Sequence, residues 1–315
     1  MTEGPRIIIT GATGFVGQHL VRHLRAAMPG SLLTLVGHEP GCVPVDMLDA
    51  AAVETLVTEA RPDRIIHLAA QSNVPAAQKD PDLAWRVNVM GTLALARVVM
   101  RRVPACSLIF ASSSDVYGRS FIEQGRLDET APLQPANTYG TTKAAADLAL
   151  GDMARDGLRV IRLRLFNHTG PGQRPDFVVP AFARQVARIG AGLQPPVMEV
   201  GSLEASRDFM DIADACAAYR ACVERADDLP AGQAINIASG TPRRIGDVLA
   251  ELLELAGLEV EITTKAGLLR QGEIAVACGK TAVARRLLGW APEVPWRQTL
   301  QSVLDDWRGR VMHEG

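Results

Sequence analysis

Three glycines near the N-terminus, at the end of an apolar run, constrain the fold more than any other feature of the chain. The run is Arg-Ile-Ile-Ile at 6–9, and Gly11, Gly14 and Gly17 follow in the spacing G-x-x-G-x-x-G. A tight turn needs one residue without a side chain, close backbone approach to a pyrophosphate needs a second, and packing of a helix on a strand needs a third. The pattern predicts a dinucleotide-binding strand, turn and helix.

The helix predicted after these glycines gives an electrostatic reason for the same assignment. Its first N–H groups have no partner within the helix and lie at the positive end of the helix dipole, where phosphate is stabilised. We therefore expect the phosphates of a cofactor to contact this turn. The residues assigned to it are Gly11, Thr13, Gly14, Phe15, Val16 and Gly17.

Charge and length limit both the partners and the architecture. A formal net charge of −2 lacks the basic field that nucleic-acid binding needs, so we expect a small-molecule ligand. A chain of 315 residues, 47% of them hydrophobic, can bury a large core. We expect an α/β fold, with a Rossmann doubly wound parallel sheet over 1–166 and a smaller C-terminal α/β substrate lobe over 167–315. A strand or helix should return to the first domain around 205–240.

Cysteine usage and the N-terminal residues bear on the cellular compartment. Five scattered cysteines without a C-x-x-C motif or a Cys/His cluster predict reduced thiols and no structural metal. The N-terminus leads into the first strand without a basic region and an apolar stretch, and no apolar run approaches membrane-spanning length. We therefore expect no signal peptide, no membrane contact and a cytoplasmic location.

The end of the second predicted strand bears on the choice between NAD and NADP. A carboxylate about 20 residues after the glycines would bind the ribose 2′-hydroxyl of NAD, but Gly37 stands there and His38 follows. Arg22, Arg25 and His38 could supply positive charge for a 2′-phosphate, whereas Glu39 opposes it. This favours NADP(H) over NAD(H).

Further cofactor contacts are expected along the first half of the chain. Residues 43–49 are predicted to form a short strand in which Asp46 could accept from the adenine amino group, although a helix N-cap role for Asp49 is an equally good explanation of this acid pair. The buried strand 63–70 ends in small residues that leave room for a cofactor. The contacts expected here and at the last strand of this domain are Asp46, Met47, Leu68, Ala69, Ala70, Asn88 and Phe166.

Serine hydroxyls and a tyrosine–lysine pair form the candidate catalytic group. Strand 106–111 opens into Ser112-Ser113-Ser114, and ligands bind at the carboxyl ends of parallel strands. Tyr139 and Lys143 are one helical turn apart, so both project from one face of the helix. A phenol with a pKa near ~10 relays protons poorly at neutral pH until an adjacent ammonium favours its phenolate.

The glycine turn, the serine loop and Y-x-x-x-K, in this order, resemble the extended short-chain dehydrogenase/reductase family of NAD-dependent epimerases and dehydratases. The resemblance implies an NAD(P)-dependent enzyme in which Tyr139 donates or accepts a proton. It implies that Lys143 binds the nicotinamide ribose and lowers the pKa of Tyr139, and that Ser113 orients the substrate oxygen. Members commonly form homodimers through a four-helix bundle, here made by helices predicted at 82–102 and 138–155.

The second half of the chain resembles the branch of that family that reduces GDP-linked 4-keto-6-deoxy-mannose to GDP-rhamnose. The stretches 166–173 and 200–209 carry this resemblance. It implies that arginines hold the substrate diphosphate (Arg207 and Arg270), that Glu273 binds the guanosine ribose and that Asn167 binds the sugar-proximal phosphate or the ring. The residues expected to contact the substrate are Ser114, Asp115, Asn167, Val178, Arg184, Arg207, Arg270 and Glu273.

Other functions on the same fold stay open. A GDP-mannose 4,6-dehydratase or a nucleotide-sugar 4-epimerase shares the Tyr139 and Lys143 chemistry, and a catalytically silent dinucleotide-binding protein shares the fold alone. In dehydratases a glutamate two residues after the hydroxyl-bearing residue performs extra acid–base work, and this chain has the shorter Asp115 there. Silent members tend to lose the tyrosine or the lysine, and both are present. These comparisons favour simple reduction.

Overall fold

The structure, a computed structural model, describes residues 4–265 and 274–313 as strands and helices in alternation. In chain order the described strands are β1 (Arg6–Thr10), β2 (Leu32–Val36), β3 (Arg64–His67), β4 (Ser107–Ser113), β5 (Arg126–Leu127), β6 (Val160–Leu165), β7 (Asn167–Thr169), β8 (Val197–Val200), β9 (Ser206–Asp211), β10 (Gln233–Ile237), β11 (Pro242–Arg244), β12 (Glu261–Thr264) and β13 (Val276–Gly279).

Helices connect most of these strands, as parallel strand pairing requires. The described helices are α1 (Phe15–Ala27), α2 (Ala50–Ala60), α3 (Val74–Lys79), α4 (Pro81–Trp85), α5 (Thr92–Arg102), α6 (Ser120–Gln124), α7 (Thr138–Met153), α8 (Val178–Gly190), α9 (Ile212–Arg225), α10 (Ile245–Ala256), α11 (Ala282–Leu288) and α12 (Trp296–Val311). A π-helical turn, Arg86–Gly91, joins α4 to α5, and a 3₁₀ turn, Ser114–Val116, follows β4.

A six-stranded parallel sheet in the order β10-β6-β4-β3-β1-β2 organises the first domain and confirms the expected Rossmann architecture. Its strands are apolar because helices cover both faces, and Ile7, Ile8 and Ile9 of β1 are at most 1% exposed. In this sheet β2 lies on one side of β1 and β3 on the other, so the connections after β1 and after β2 run in opposite directions across the sheet. This reversal places the crevice for a ligand at the carboxyl ends of β1 and β3.

The second lobe has its own small sheet and its own core. Strand β9 pairs with β11, β13 and β7, and β13 also pairs with β5 from the first half of the chain. Helices α8, α10 and α12 bury a separate apolar cluster against β8 and β9. The chain then returns to the first domain, because β10 forms an edge of the large sheet and α9 packs in its core.

Residues 43–49 do not form the expected strand. A single β-bridge links Val43 to Val36, and the chain then turns. The Asp46 carboxylate accepts from the Leu48 N–H at 2.9 Å, while Asp49 caps α2 by accepting from two N–H groups of its first turn. Asp49 therefore has the helix-capping role that the sequence left open, and the contact of Asp46 with adenine stays a prediction.

The helical stretch Pro81–Arg102 reaches membrane-spanning length and apolarity. The expectation that no apolar run does so is therefore wrong on length and composition. Half of its most apolar window is buried in the protein, where α5 packs against α2 and α7. Helices that pack inside folded domains also reach this length and apolarity, so these two properties do not establish a membrane span.

Candidate active site

The glycine turn after β1 has the geometry that its spacing predicts. Gly11 has a φ of +69°, and a Cβ there would lie 2.8 Å from the Ala69 nitrogen. A Cβ at Gly17 would lie 2.3 Å from the Gly11 carbonyl oxygen, so α1 can approach the turn only through a glycine. The first and third glycines thus serve the turn and the close packing of the helix.

The start of α1 fits the pyrophosphate of a dinucleotide cofactor. Gly14 is exposed and extended, no side chain caps the helix, and its first turn has no acidic residue. The helix therefore presents uncapped N–H groups at its positive end, with Phe15 and Val16 half-buried at its first turn. Thr13 lies beside this turn, and its carbonyl oxygen accepts from the Gln18 side chain at 2.8 Å.

The end of β2 is too crowded for a side chain. A Cβ at Gly37 would lie 2.7 Å from the Thr13 methyl carbon, so the position of the ribose-binding carboxylate is occupied by the glycine turn itself. His38, the next residue, is exposed. Arg22, expected as a source of positive charge here, instead contacts His19 at 3.3 Å, and His19 bonds to the Pro171 carbonyl oxygen at 2.7 Å.

A second group of expected cofactor contacts follows β3. Leu68, Ala69 and Ala70 are half-buried after this strand, and the Ala69 N–H donates to Thr10 Oγ1 at 3.2 Å. The Asn88 amide, in the π-helical turn, accepts from the Gln71 N–H at 2.8 Å. It donates to the Gln71 carbonyl oxygen at 3.2 Å and to Thr142 Oγ1 of α7 at 3.0 Å. In this structure Asn88 therefore clamps the loop after β3 to α7.

Met47 and Phe166 are placed as core residues. Met47 is 7% exposed and packs in the apolar cluster between the sheet and its helices. The Phe166 ring is tilted against Tyr117 and meets Phe121 edge-on, and the residue is 2% exposed. The Phe166 ring fills this aromatic cluster, and a contact of this residue with a cofactor stays a prediction.

The tyrosine, the lysine and the serine meet where β4 faces α7. Tyr139 and Ser113 share a side-chain hydrogen bond, and Lys143 Nζ donates to the Ala111 carbonyl oxygen at 2.6 Å. Lys143 is 4% exposed, and its ammonium lies 4.7 Å from the centroid of the Phe110 ring. The structure thus brings all three expected catalytic residues to the carboxyl end of β4, at the same edge of the sheet as the glycine turn.

The two titratable groups of this cluster have opposite pKa shifts with one dominant cause. Burial raises the pKa of Tyr139, the Asp115 carboxylate raises it further, and the hydrogen bond with Ser113 opposes both. Burial lowers the pKa of Lys143 to about 8, against the charge of Asp147. Tyr139 therefore keeps its proton at neutral pH. Lowering of the Tyr139 pKa by Lys143 stays a prediction from the resemblance.

Ser114 and Asp115 belong to the 3₁₀ turn that follows β4. Ser114 is 6% exposed, and the Asp115 N–H donates to Ser113 Oγ at 3.1 Å. The Asp115 carboxylate accepts from Asn137 Nδ2 at 3.5 Å. A Cβ at Gly140 would lie 2.7 Å from the Asp115 carbonyl oxygen, so the glycine after the tyrosine allows α7 to contact this turn.

The expected substrate residues of the second lobe lie on three different elements. Asn167 begins β7, in register with Phe209 of β9, and Val178 begins α8. Arg207 on β9 donates to carbonyl oxygens at 2.9 and 2.7 Å. The Arg184 guanidinium of α8 lies 6.0 Å from the centroid of the Trp307 ring. Arg270 and Glu273 lie outside the described residues.

Several residues that order the site escape the sequence analysis. Asn137 caps α7 by accepting from the Gly140 N–H at 2.7 Å, and an Asn just before a helix is a signal that could have been used. Asp147, on α7 one turn after Lys143, is fully buried between Arg162 and Arg164. No local motif marks Asp147, because its partners come from other strands.

Comparison with known proteins agrees with this geometry. The model of the NAD dependent epimerase/dehydratase family matches residues 7–238. GDP-6-deoxy-D-mannose reductase of Pseudomonas aeruginosa is 36% identical over 310 residues, which cover 98% of this chain and 99% of that protein.

Solved structures give the same result for the fold. The structure of RMD from Pseudomonas aeruginosa complexed with NADPH matches with a TM-score of 0.88 and 34% identity, over 98% of this chain and 100% of that one. UDP-glucose 4-epimerase of Thermus thermophilus in complex with NAD matches with a TM-score of 0.82 and 27% identity, over 96% and 99%. The glycine turn, the Tyr139–Lys143 pair and these matches together show that the chain belongs to the NAD dependent epimerase/dehydratase family.

Proposed function

We propose that this chain is a nucleotide-sugar reductase. It transfers a hydride from NAD(P)H to the 4-keto group of GDP-4-keto-6-deoxy-mannose and gives GDP-rhamnose. The observation that carries the proposal is the meeting of Tyr139, Ser113 and Lys143 at the ligand-binding edge of the sheet. The name of the Pseudomonas aeruginosa relative supports the choice of substrate.

The side chains of the cluster suit the reduction of a ketone. Tyr139 is protonated at neutral pH, so its hydroxyl can donate a proton to an oxygen that gains negative charge. Ser113 can hold the same oxygen by a second hydrogen bond. Lys143, an ammonium below about pH 8, can donate to a ribose hydroxyl. The reduced nicotinamide supplies the hydride when it is bound.

The surroundings of Asp115 support reduction over dehydration. Dehydration needs an acid or base that exchanges a proton with the sugar ring, beyond the tyrosine. The Asp115 carboxylate is instead engaged by Asn137 at 3.5 Å, and its side chain is one methylene shorter than a glutamate. We therefore assign Asp115 a structural role in the 3₁₀ turn after β4, which contacts the start of α7.

We propose NADP(H) as the preferred cofactor. The crowding of Gly37 by Thr13 leaves no side chain at the position of the carboxylate that would repel a 2′-phosphate. The bound NADPH in the structure of RMD supports the same choice. Measurement of kcat/KM with NADPH and NADH tests it, and a higher value with NADH would contradict it.

The second lobe, which we assign to 167–315 apart from the returning α9 and β10, is proposed to bind the nucleotide sugar. Arg207 is its strongest candidate for the diphosphate, because its guanidinium offers several donors in a fixed plane. Asn167 and Val178 are assigned to the sugar side of the cleft. Arg270 and Glu273 keep the roles on the diphosphate and the ribose that the resemblance implies.

Stoichiometry of cofactor consumption tests the proposed function. A reductase oxidises one NADPH for each keto sugar, whereas an epimerase or dehydratase regenerates its cofactor in each cycle. We expect purified protein to oxidise NADPH with GDP-4-keto-6-deoxy-mannose and to leave GDP-mannose unchanged. Conversion of GDP-mannose to the 4-keto-6-deoxy sugar without an added dehydratase would contradict the proposal. The UDP-, dTDP- and CDP-linked sugars test the base in the same assay.

We propose a homodimer through the helical stretch Pro81–Arg102 and α7, which pack against each other. Large apolar side chains stay exposed on these helices, and such patches mark interaction surfaces. They are Leu83 (38% exposed), Trp85 (42%), Met90 (55%) and Leu148 (59%).

Light scattering of the Leu148→Arg variant tests this assembly. We expect the wild-type chain to be a dimer at micromolar concentration and the variant to be largely monomeric, because a charge on an apolar interface stays unpaired. Ile122→Arg is the control, since Ile122 is 67% exposed and lies on α6. A monomeric wild-type chain would contradict the proposal.

We propose a cytoplasmic location. The five cysteines, all among the described residues, are free thiols. Burial raises the pKa of Cys106 and of Cys216 to about 12, so these two resist oxidation. Free thiols suit a reducing compartment. Cell fractionation tests the location, and recovery in the membrane fraction would contradict it.

A further inference from the structure

Three residues of α7, each one turn apart, contact three consecutive residues of β4. The pairs are Tyr139 with Ser113, Lys143 with the Ala111 carbonyl oxygen at 2.6 Å, and Asp147 with Ser112 Oγ at 2.7 Å. The proposed function uses the first two pairs. The third pair is one helical turn after Lys143 on the same face of α7, and it places a carboxylate one turn from the Lys143 ammonium.

Asp147 is a fully buried charge whose oxygens are occupied by two arginines of β6. Arg164 donates to Oδ1 at 2.9 Å and to Oδ2 at 3.2 Å, and Arg162 donates to Oδ1 at 2.7 Å. Arg164 also donates to the Tyr117 hydroxyl and to the Glu129 carbonyl oxygen, both at 3.0 Å. A buried carboxylate with this many donors stays ionised and has one fixed orientation.

Lys143 has few other groups that could compensate its charge. On β4 it meets the Phe110 ring and the Ala111 carbonyl oxygen. His67 of β3 is buried and neutral, with a pKa of about 3. Among residues 4–265 and 274–313, the remaining charged side chains around the cluster are the cations Arg162 and Arg164 and, on the tyrosine side, Asp115. Asp147 is thus the carboxylate that acts on the ammonium.

We propose that Asp147 is a positioning residue for the reductase: held by Ser112 and Arg164, it is the buried counterion that keeps Lys143 charged and in place beside Tyr139. The inference rests on the proposed function, since it assigns Lys143 to the cofactor ribose. It adds a role for Arg162 and Arg164, which fix the carboxylate.

The electrostatics of the cluster agree with this arrangement. Burial lowers the pKa of Lys143 to about 8, and the charge of Asp147 opposes that shift. Replacement of Asp147 by the isosteric Asn removes the opposing charge and leaves three buried cations together. A nearby charge changes a pKa by about one unit or more in such surroundings. Lys143 should then lose its proton within the neutral range.

A lysine NMR titration tests the inference without any turnover. The chain has four lysines, so protein labelled with ¹³C at lysine Cε gives few signals, and Lys143→Arg identifies the one of interest. We expect Lys143 to titrate near pH 8 in the wild-type chain and about one pH unit lower in Asp147→Asn. Asp152→Asn is the matched control on the same helix, because Asp152 is 75% exposed.

The pH profile of kcat completes the experiment. The alkaline limb should move down with the Lys143 pKa in Asp147→Asn and stay in place in Asp147→Glu, which keeps the charge. If Asp147→Asn does not fold, Asp147→Asn/Arg162→Gln, with one buried cation fewer, should show the same direction of shift. An unchanged Lys143 titration in the folded variant, or an equal shift in Asp152→Asn, would overturn the inference. A wild-type chain that oxidises no NADPH would instead overturn the proposed function and leave the titration result standing.

Discussion

The two halves of the candidate site are built differently. In the half that belongs to the large sheet, the functional groups follow strand ends or stand on helices that contact them closely. Gly17 meets the Gly11 carbonyl oxygen, and Lys143 donates to the main chain of β4. In the half that belongs to the second lobe, Asn167, Val178 and Arg207 stand on separate elements of a smaller sheet and a helix.

This difference separates chemistry from specificity. Strand ends of a parallel sheet fix the cofactor turn and the catalytic cluster, so reductases and epimerases of one family can share them. The hydride and the proton do not distinguish one nucleotide sugar from another. We infer that the choice of substrate depends on how the second lobe holds the diphosphate and rotates the sugar ring. Substitutions in the two halves should therefore change different kinetic constants.

Removal of the Tyr139 hydroxyl should have the largest effect on turnover. In Tyr139→Phe we expect kcat to fall by about 10²–10⁴-fold, because only a proton-transfer interaction is lost. The dissociation constant of NADPH, measured by fluorescence, should stay nearly unchanged. Ser302→Ala is the control, since its hydroxyl donates to the Thr299 carbonyl oxygen within α12 and takes no part in the candidate site. Equal activity of Tyr139→Phe and the wild-type chain would contradict the assignment of proton transfer to Tyr139.

A methyl group at Gly17 should weaken cofactor binding next. The new Cβ would lie 2.3 Å from the Gly11 carbonyl oxygen and 2.6 Å from that of Ala12, so α1 must move away from the turn. We expect Gly17→Ala to raise the NADPH dissociation constant about 10-fold or more, since charged hydrogen bonds contribute ~1.5–3 kcal/mol each. Gly309→Ala in α12, where a Cβ meets nothing within 4 Å, should bind NADPH normally. Unchanged binding in Gly17→Ala would refute the packing argument.

Replacement of Arg207 should change the Michaelis constant of the sugar. For Arg207→Gln we expect KM to rise about 10–100-fold with little change in kcat, because a charge-assisted contact remote from the reacting carbon is lost. Steady-state kinetics at saturating NADPH give both constants. Arg155→Gln, at an 84% exposed position, is the control. A fall in kcat with KM unchanged would place Arg207 in the chemical step. It would contradict the assignment of substrate binding alone to the second lobe.

His67 should make the smallest contribution, to stability in acid. Burial lowers its pKa from 6.5 to about 3, so the unfolded chain binds an extra proton between these values and stability falls as the pH falls through them. The loss is about 1.4 kcal/mol for each pH unit well inside that window. Chemical denaturation measured between pH 7 and pH 4.5 should therefore give a free energy of unfolding that falls more steeply with decreasing pH in the wild-type chain than in His67→Gln. If the free energy of unfolding changed equally with pH in the two chains, the assignment of a neutral His67 would be contradicted.

The first half of the site could be predicted because its signals are local. The glycine spacing fixes a turn by sterics, and the spacing of Tyr139 and Lys143 fixes one face of a helix. Both features require only neighbouring residues. Residues 43–49 show the limit, because they have the composition of a strand and form a turn instead, in which Asp46 accepts from the Leu48 N–H.

The rest depends on partners far along the chain. Asp147 bonds to residues 35, 15 and 17 positions away, on β4 and β6, and no pattern around it indicates those contacts. Phe166 likewise packs against Tyr117 and Phe121, whose rings come from other segments of the chain. The assignments in the second lobe depend on a resemblance, because the residues stand on three elements and no local pattern indicates how these elements are placed.

Transfer of isotope from cofactor to sugar tests the central proposal most directly. With NADPH that carries deuterium at both positions of nicotinamide C4, the account predicts GDP-rhamnose with one deuterium at C4 of the sugar, and one NADP⁺ formed for each product. Mass spectrometry and proton NMR of the purified nucleotide sugar measure both. A product without deuterium at C4, or turnover without net oxidation of NADPH, would contradict the assignment as a reductase.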